Sequence, residues 1–111
     1  MEGGENGNLS FDVHSVCRGK EQQQSSFKVL GSAKLIITGS AINFIEMPFN
    51  GPNDRISDIW IIPRSTIIFE SIIEHQNVDK VLVQFRCSDD TIYSFFVHTP
   101  YSALVLQSLR N

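Results

Sequence analysis

The chain is poor in the residues that build disulfide frameworks and metal sites. It has two cysteines, Cys17 and Cys87, in 111 residues, and no Cys-x-x-Cys pair. A disulfide-stapled scaffold and a thiolate zinc site are therefore both excluded as organising principles. Its three histidines, His14, His75 and His98, fall in three separate segments, at no spacing that metal ligands use. His14 is expected to point outward from a strand, His75 to lie in a turn, and His98 to sit just ahead of a helix. Charge is also sparse: 19% of residues are charged and the net charge is −3. Nucleic-acid-binding domains are normally basic, so this balance argues against that class, and it weakens adhesion to anionic lipid. No apolar run approaches the ~20 residues of a membrane span. The acidic, glycine-rich start, Met1 to Gly7, contains no apolar signal-peptide core. The expected setting is intracellular, cytoplasmic or nuclear, with both thiols reduced. Cys87 is expected in the core, and a Cys17–Cys87 bridge stays open at this point.

Catalytic signatures are missing as well. There is no Gly-x-Ser-x-Gly elbow, no phosphate-cradling glycine loop and no dinucleotide fingerprint. Asp89-Asp90, the one adjacent carboxylate pair, stands between two apolar runs and reads as a turn. No catalytic residue, metal ligand or cofactor is expected.

What is present is β-patterned. Apolar residues make up 41% of the chain, eight of them phenylalanine, enough for one modest core in a single domain at residues 9–111 behind a disordered tail at 1–8. Val81, Val83, Phe85 and Cys87 alternate with Leu82, Gln84, Arg86 and Ser88, the period of two that marks a half-buried strand. Ile92 to Val97 is a second strand after the Ser88-Asp89-Asp90 turn. Thr99 then offers an N-cap oxygen and Pro100 a first-turn proline, followed by Tyr101, Leu104, Val105 and Leu109 on one helical face. Upstream, Leu9, Phe11, Val13 and Cys17 share a face of a first strand. Arg18 to Ser26 reads as a polar loop, and Phe27 to Thr38 as a second strand in which Gly31 marks a bulge. Gly39-Ser40 signals a hairpin returning through Ile42 to Met47. The Pro48 to Asp54 stretch is a loop, Ile59 to Ile62 a strand, Thr66 to Ile73 a further strand, and Glu74 to Asn77 a turn. The count is seven strands and one closing helix.

That order resembles the pleckstrin-homology superfold, including its GRAM branch, over Leu9 to Arg110. Gly31 to Thr38 followed by Ile42-Asn43-Phe44 looks like the family's second and third strands. Ile62 to Ile67 looks like the fourth running into the fifth, and Val81 to Phe85 with Tyr93 to Phe96 like the sixth and seventh. The resemblance implies a bent seven-stranded antiparallel sheet, or partly open barrel, capped by a C-terminal helix, and a module that binds partners and rarely catalyses.

Two sets of residues are candidates for that binding. For a protein or peptide partner they are Phe49, in a Pro/Gly/Asn loop, Trp60, the single tryptophan, and the flanking Arg55 and Arg64, because aromatics and arginine dominate interface hot spots. An incompletely closed sheet can also accept an added strand at its edge. For a phosphoinositide the resemblance points to Arg18, Lys20, Lys28 and Lys34, although the closely spaced basic pair of lipid-binding members is absent here. Scattered cations on an acidic domain are expected to hold a membrane weakly. The leading expectation is a non-catalytic protein-interaction module of a larger intracellular protein. A phosphoinositide-binding module and a structural or self-associating scaffold are the alternatives.

Overall fold

The structure is a computed structural model and describes residues 8–47 and 58–111. The chain is mainly β, with strands β1 (Leu9–Lys20), β2 (Gln23–Ile37), β3 (Ala41–Glu46), β4 (Ile59–Pro63), β5 (Ile73–Gln76), β6 (Lys80–Arg86) and β7 (Thr91–His98), closed by helix α1 (Thr99–Arg110). All pairings are antiparallel, and the order across the sheet is β4-β3-β2-β1-β7-β6-β5. The expected seven strands and terminal helix are there. The sheet is not closed into a barrel, and β4 and β5 are its two edges.

The sheet nevertheless folds back on itself. Flat neighbouring strands lie about 5 Å apart, so β3 and β7, three steps apart, would be some 14 Å from each other. Instead the Phe44 ring on β3 meets Phe95 on β7 edge-on at 5.4 Å, and Trp60 on β4 meets Tyr93 on β7 at 6.2 Å. The bend has a source in β1 and β2. Pairing runs Val13 with Ala33, then Val16 with Gly31, then Cys17 with Val29, so each strand in turn carries extra residues. Ser15 at φ 53° and Gly31 at φ 87° supply the left-handed backbone these bulges use. The bulge expected at Gly31 is present. Its counterpart at Ser15 corrects the first-strand reading. It flips the face of β1, so Val16, fully buried, takes the core position expected of Cys17. Cys17 lies half-buried on the opposite face, where its Sγ shares a 3.0 Å hydrogen bond with Ser94 Oγ. Both cysteines are free thiols, and Cys87 is in the core at 4% exposure.

Four further expectations are corrected. Arg18 to Ser26 is not a loop: β1 and β2 run on as a long hairpin in which only Glu21 and Gln22 turn, and β1 pairs with β7 as far as Lys20, so this polar stretch is held in the sheet by backbone bonds on both sides. Thr66 to Ile73 is not a strand. It holds two single 3₁₀ turns, Arg64–Thr66 and Phe69–Ser71, joined by an isolated bridge between Ile67 and Cys87. The fifth strand therefore starts only at Ile73, and Glu74 to Gln76, read as a turn, belong to β5. Its residues are all exposed, so no burial period announces it. Finally, Thr99 is the first helical residue rather than the cap. The cap position is His98, whose side chain makes no capping bond, with Pro100 in the first turn as expected.

Helix α1 covers the core through Ser102, Val105, Leu106 and Leu109, spaced i, i+3, i+4 and i+7. Tyr101 and Leu104, placed on that face by pattern, are 54% and 45% exposed. The helix sits against β6 and β7 at one end of the folded sheet. The β1–β2 and β6–β7 turns gather at the other, where Lys20 pairs with both Gln23 and Thr91. Apart from Asn8, the expected tail at 1–8 lies outside the described residues, as does the Pro48 to Asp54 loop.

Candidate functional site

Three surfaces can be built from the residues upward. The first follows from β5. Asn77 N–H donates to the Lys80 carbonyl at 2.9 Å, and the register continues as Gln76–Val81, His75–Leu82, Glu74–Val83 and Ile73–Gln84. In an antiparallel ladder, residues alternate between bonding the neighbour and facing away. Counting by two from Asn77, His75 and Ile73 bond to β6, while the N–H and C=O groups of Glu74 and Gln76 face the open edge. Glu74 and Gln76 also stand opposite the buried Val83 and Val81, on the helix side of the sheet. There they form one wall of a groove of about 530 Å³ whose other wall is α1, through Ala103, Leu106, Gln107 and Arg110. Among the described residues, the groove thus pairs a row of edge-facing backbone donors and acceptors with an adjoining side-chain surface. The Arg110 guanidinium is anchored within it, Nη2 donating to the Ile72 carbonyl at 3.4 Å.

The second surface is the end of the sheet away from the helix. Arg18 is paired in register with Lys28 on one side and Tyr93 on the other. With Lys20, Ser26, Asp89 and Thr91 these residues line a cavity of about 320 Å³. Three of the four basic candidates therefore converge. The fourth does not: Lys34 Nζ pairs with Asp12 at 2.7 Å on the opposite face, and its hydrogen bond and charge hold the Asp12 carboxyl below its usual range. Cation density at the cavity is tempered from two directions. The Arg18 guanidinium lies 4.1 Å over the Trp60 ring. Asp89, kept ionised by hydrogen bonds from Thr91 and to a lesser degree by Lys20, adds a carboxylate to the lining. Burial raises the Tyr93 phenol, so at neutral pH that position is an uncharged hydroxyl.

The third surface is β4. Glu46 N–H donates to the Asp58 carbonyl at 2.9 Å and Arg64 N–H to the Ser40 carbonyl at 3.0 Å. Counting by two between them, Trp60 and Ile62 bond to β3, and the backbone of Ile59 and Ile61 faces the open edge.

The residues expected to bind a protein partner are placed as follows. Phe49 and Arg55 lie outside the described residues. Trp60 is 7% exposed, its indole turned into the core beneath Arg18. Arg64 is committed to the backbone: Nη2 donates to the Ser108 carbonyl at 2.8 Å and Nη1 to the Thr38 carbonyl at 3.3 Å. The groove residues Glu74, Gln76, Ala103, Leu106 and Arg110 were not singled out by pattern. Their one available signal is the helical spacing of Ala103, Leu106 and Arg110 beside a polar tripeptide opposite Val81 and Val83.

His14 and His98 come together edge-on with ring centroids 5.8 Å apart, and among the described residues no group of three or more His, Cys, Asp or Glu side chains is placed to hold a metal ion. No helix among the described residues is long and apolar enough to cross a membrane. No protein-family model, curated protein or solved structure matches the chain.

Proposed function

We propose that this chain is a non-catalytic recognition module of the pleckstrin-homology-like kind. It takes an extended segment of another protein as an added strand on β5, in the groove against α1. One observation carries this: among the described residues, the N–H and C=O groups of Glu74 and Gln76 face away from β6, beside a groove walled by a helix. Backbone pairing at a sheet edge supplies affinity, and pockets for alternate side chains supply specificity. Here the exposed Ala103 offers apolar contact to the incoming segment, and Glu74 and Arg110 offer one charge of each sign.

The test is selection of binders from a random-peptide display library on the intact chain, followed by affinity measurement on two variants. Gln76→Pro deletes an edge N–H, and Ala103→Arg fills the groove from an exposed position. Each is expected to weaken selected peptides at least about tenfold, the equivalent of 1.4 kcal/mol, with unchanged circular dichroism. Peptides that bind wild type and both variants equally would refute the reading.

A second reading has its own support. The convergence of Arg18, Lys20 and Lys28 on one cavity favours an anionic ligand such as a phosphorylated headgroup. Vesicles carrying phosphoinositides should then bind in a salt-sensitive way that is lost on Lys20→Ala with Lys28→Ala and kept on Lys34→Ala. Binding lost equally on Lys34→Ala would speak for diffuse charge instead.

A further inference from the structure

The two edges of the sheet are chemically unlike. β5 carries Glu74, His75 and Gln76. β4 reads Ile59-Trp60-Ile61-Ile62-Pro63, with no charged side chain, and its Ile59 and Ile61 are 55% and 66% exposed. Edge strands are usually blunted by charge, bulges or covering elements. Among the described residues, β4 has one such device, Pro63, and it stands at the end. Among the described residues, β3 is the only strand that pairs with it.

We infer that β4 is a self-association edge, and that its occupant is β4 of a second copy of this chain, antiparallel about a twofold axis through Trp60. The segment is its own complement in that register. Ile59 of one copy lies opposite Ile61 of the other, and these are the residues whose N–H and C=O groups face outward. The pairing therefore closes four backbone hydrogen bonds, two for each Ile59–Ile61 pair. The same register sets four isoleucine side chains beside one another on the outer face, flanked by Ile45, the β3 neighbour of Ile59. Charge selects the partner. A twofold axis through Trp60 sets Asp58 opposite Ile62, so no like charges meet, and β4 offers nothing to attract a charged segment. Pro63, which lacks an N–H, falls beyond the four bonds. Its position limits the pairing to this register and to a short length. A five-residue strand buries well under the ~1,200 Å² of a stable interface, so the association is weak and rises with concentration.

The test is sedimentation velocity on the full chain from about 10 μM to about 1 mM, a range that brackets weak association. The mass is expected to climb from the 12.5 kDa of one chain toward twice that value. Ile61→Lys, which sets an ammonium against Ile59 of the second copy, should stay at one chain throughout, and Gln76→Pro on the other edge should climb as wild type does. Amide exchange on the unmodified chain gives a check that needs no variant: the N–H groups of Ile59 and Ile61 should slow as concentration rises, and those of Glu74 and Gln76 should not. A wild-type mass that stays flat overturns the inference. So does a rise that survives Ile61→Lys, or one abolished by Gln76→Pro. The peptide reading of β5 stands or falls separately.

Discussion

Replacing Arg64 by alanine should destabilise the chain by about 2 kcal/mol, well above the usual effect of changing a partly exposed residue. The expectation comes from what the guanidinium touches. The last four carbonyls of a helix have no partner within it. In α1, Gln107 accepts from the Asn111 N–H at 3.1 Å, and the Ser108 carbonyl is taken by Arg64 Nη2 at 2.8 Å. A cation at this end also opposes the partial negative charge of the helix C-terminus. The same side chain reaches the Thr38 carbonyl at the β2–β3 hairpin, so it ties the helix end to the sheet. A hydrogen bond from a charged donor contributes about 1.5–3 kcal/mol, and of the two bonds the one at 2.8 Å carries most of the effect. Urea denaturation followed by circular dichroism measures the loss, and a shift of about 8 °C in Tm is the thermal counterpart. Arg64→Lys should recover only part of the stability, since one ammonium cannot fork to both carbonyls. A loss below about 0.5 kcal/mol for Arg64→Ala would refute this account and return Arg64 to the pool of partner-binding residues.

Two other perturbations probe the core. Leu109→Ala, at a position 1% exposed, should cost about 2–5 kcal/mol, whereas Leu104→Ala should cost under about 1 kcal/mol; equal costs in urea titration would mean that the helix presents the face its apolar pattern suggested. Stability should also fall in alkali. Burial raises the Cys87 thiol above 9.0 and the Tyr93 phenol above 10.0, so the folded chain holds both protons more tightly than the unfolded chain does. Their contribution is whole below pH 9.0 and is lost as pH rises through the folded values. The fall in urea midpoint between pH 7 and about pH 10.5 should shrink in Cys87→Ala with Tyr93→Phe, and an undiminished fall would show that other groups drive it.

The parts of the fold that were legible are those where burial imposes a period. β6 and β7, the Gly39-Ser40 hairpin, the Ser88 to Asp90 turn and the Gly31 bulge were all readable, because each leaves a mark in alternation or in turn chemistry. The misreadings share a cause. A bulge shifts the inward face by one residue, and Ser15 carries none of the usual signs of left-handed backbone, so Val16 and Cys17 exchanged roles. The apolar run Ile67-Ile68-Phe69 looked like a strand because β-branched and aromatic residues suit one. In the structure it links two 3₁₀ turns, Arg64–Thr66 and Phe69–Ser71, with Phe69 54% exposed.

The candidate site was the least legible part, and the reason is physical. Hot-spot residue types led to Trp60 and Arg64, but a buried indole and a guanidinium bonded to two carbonyls are used by the fold itself. Two of the three surfaces left over are edges, and what an edge offers is backbone. Every residue except proline carries the same N–H and C=O, so composition cannot say which of them lack a partner. Only the pairing order does that: among the described residues it leaves Glu74 and Gln76 open beside a helix and Ile59 and Ile61 open at the far edge. The side chains then separate the two edges. The polar edge beside α1 is therefore the one proposed here for a foreign segment, and the uncharged edge the one proposed for a second copy.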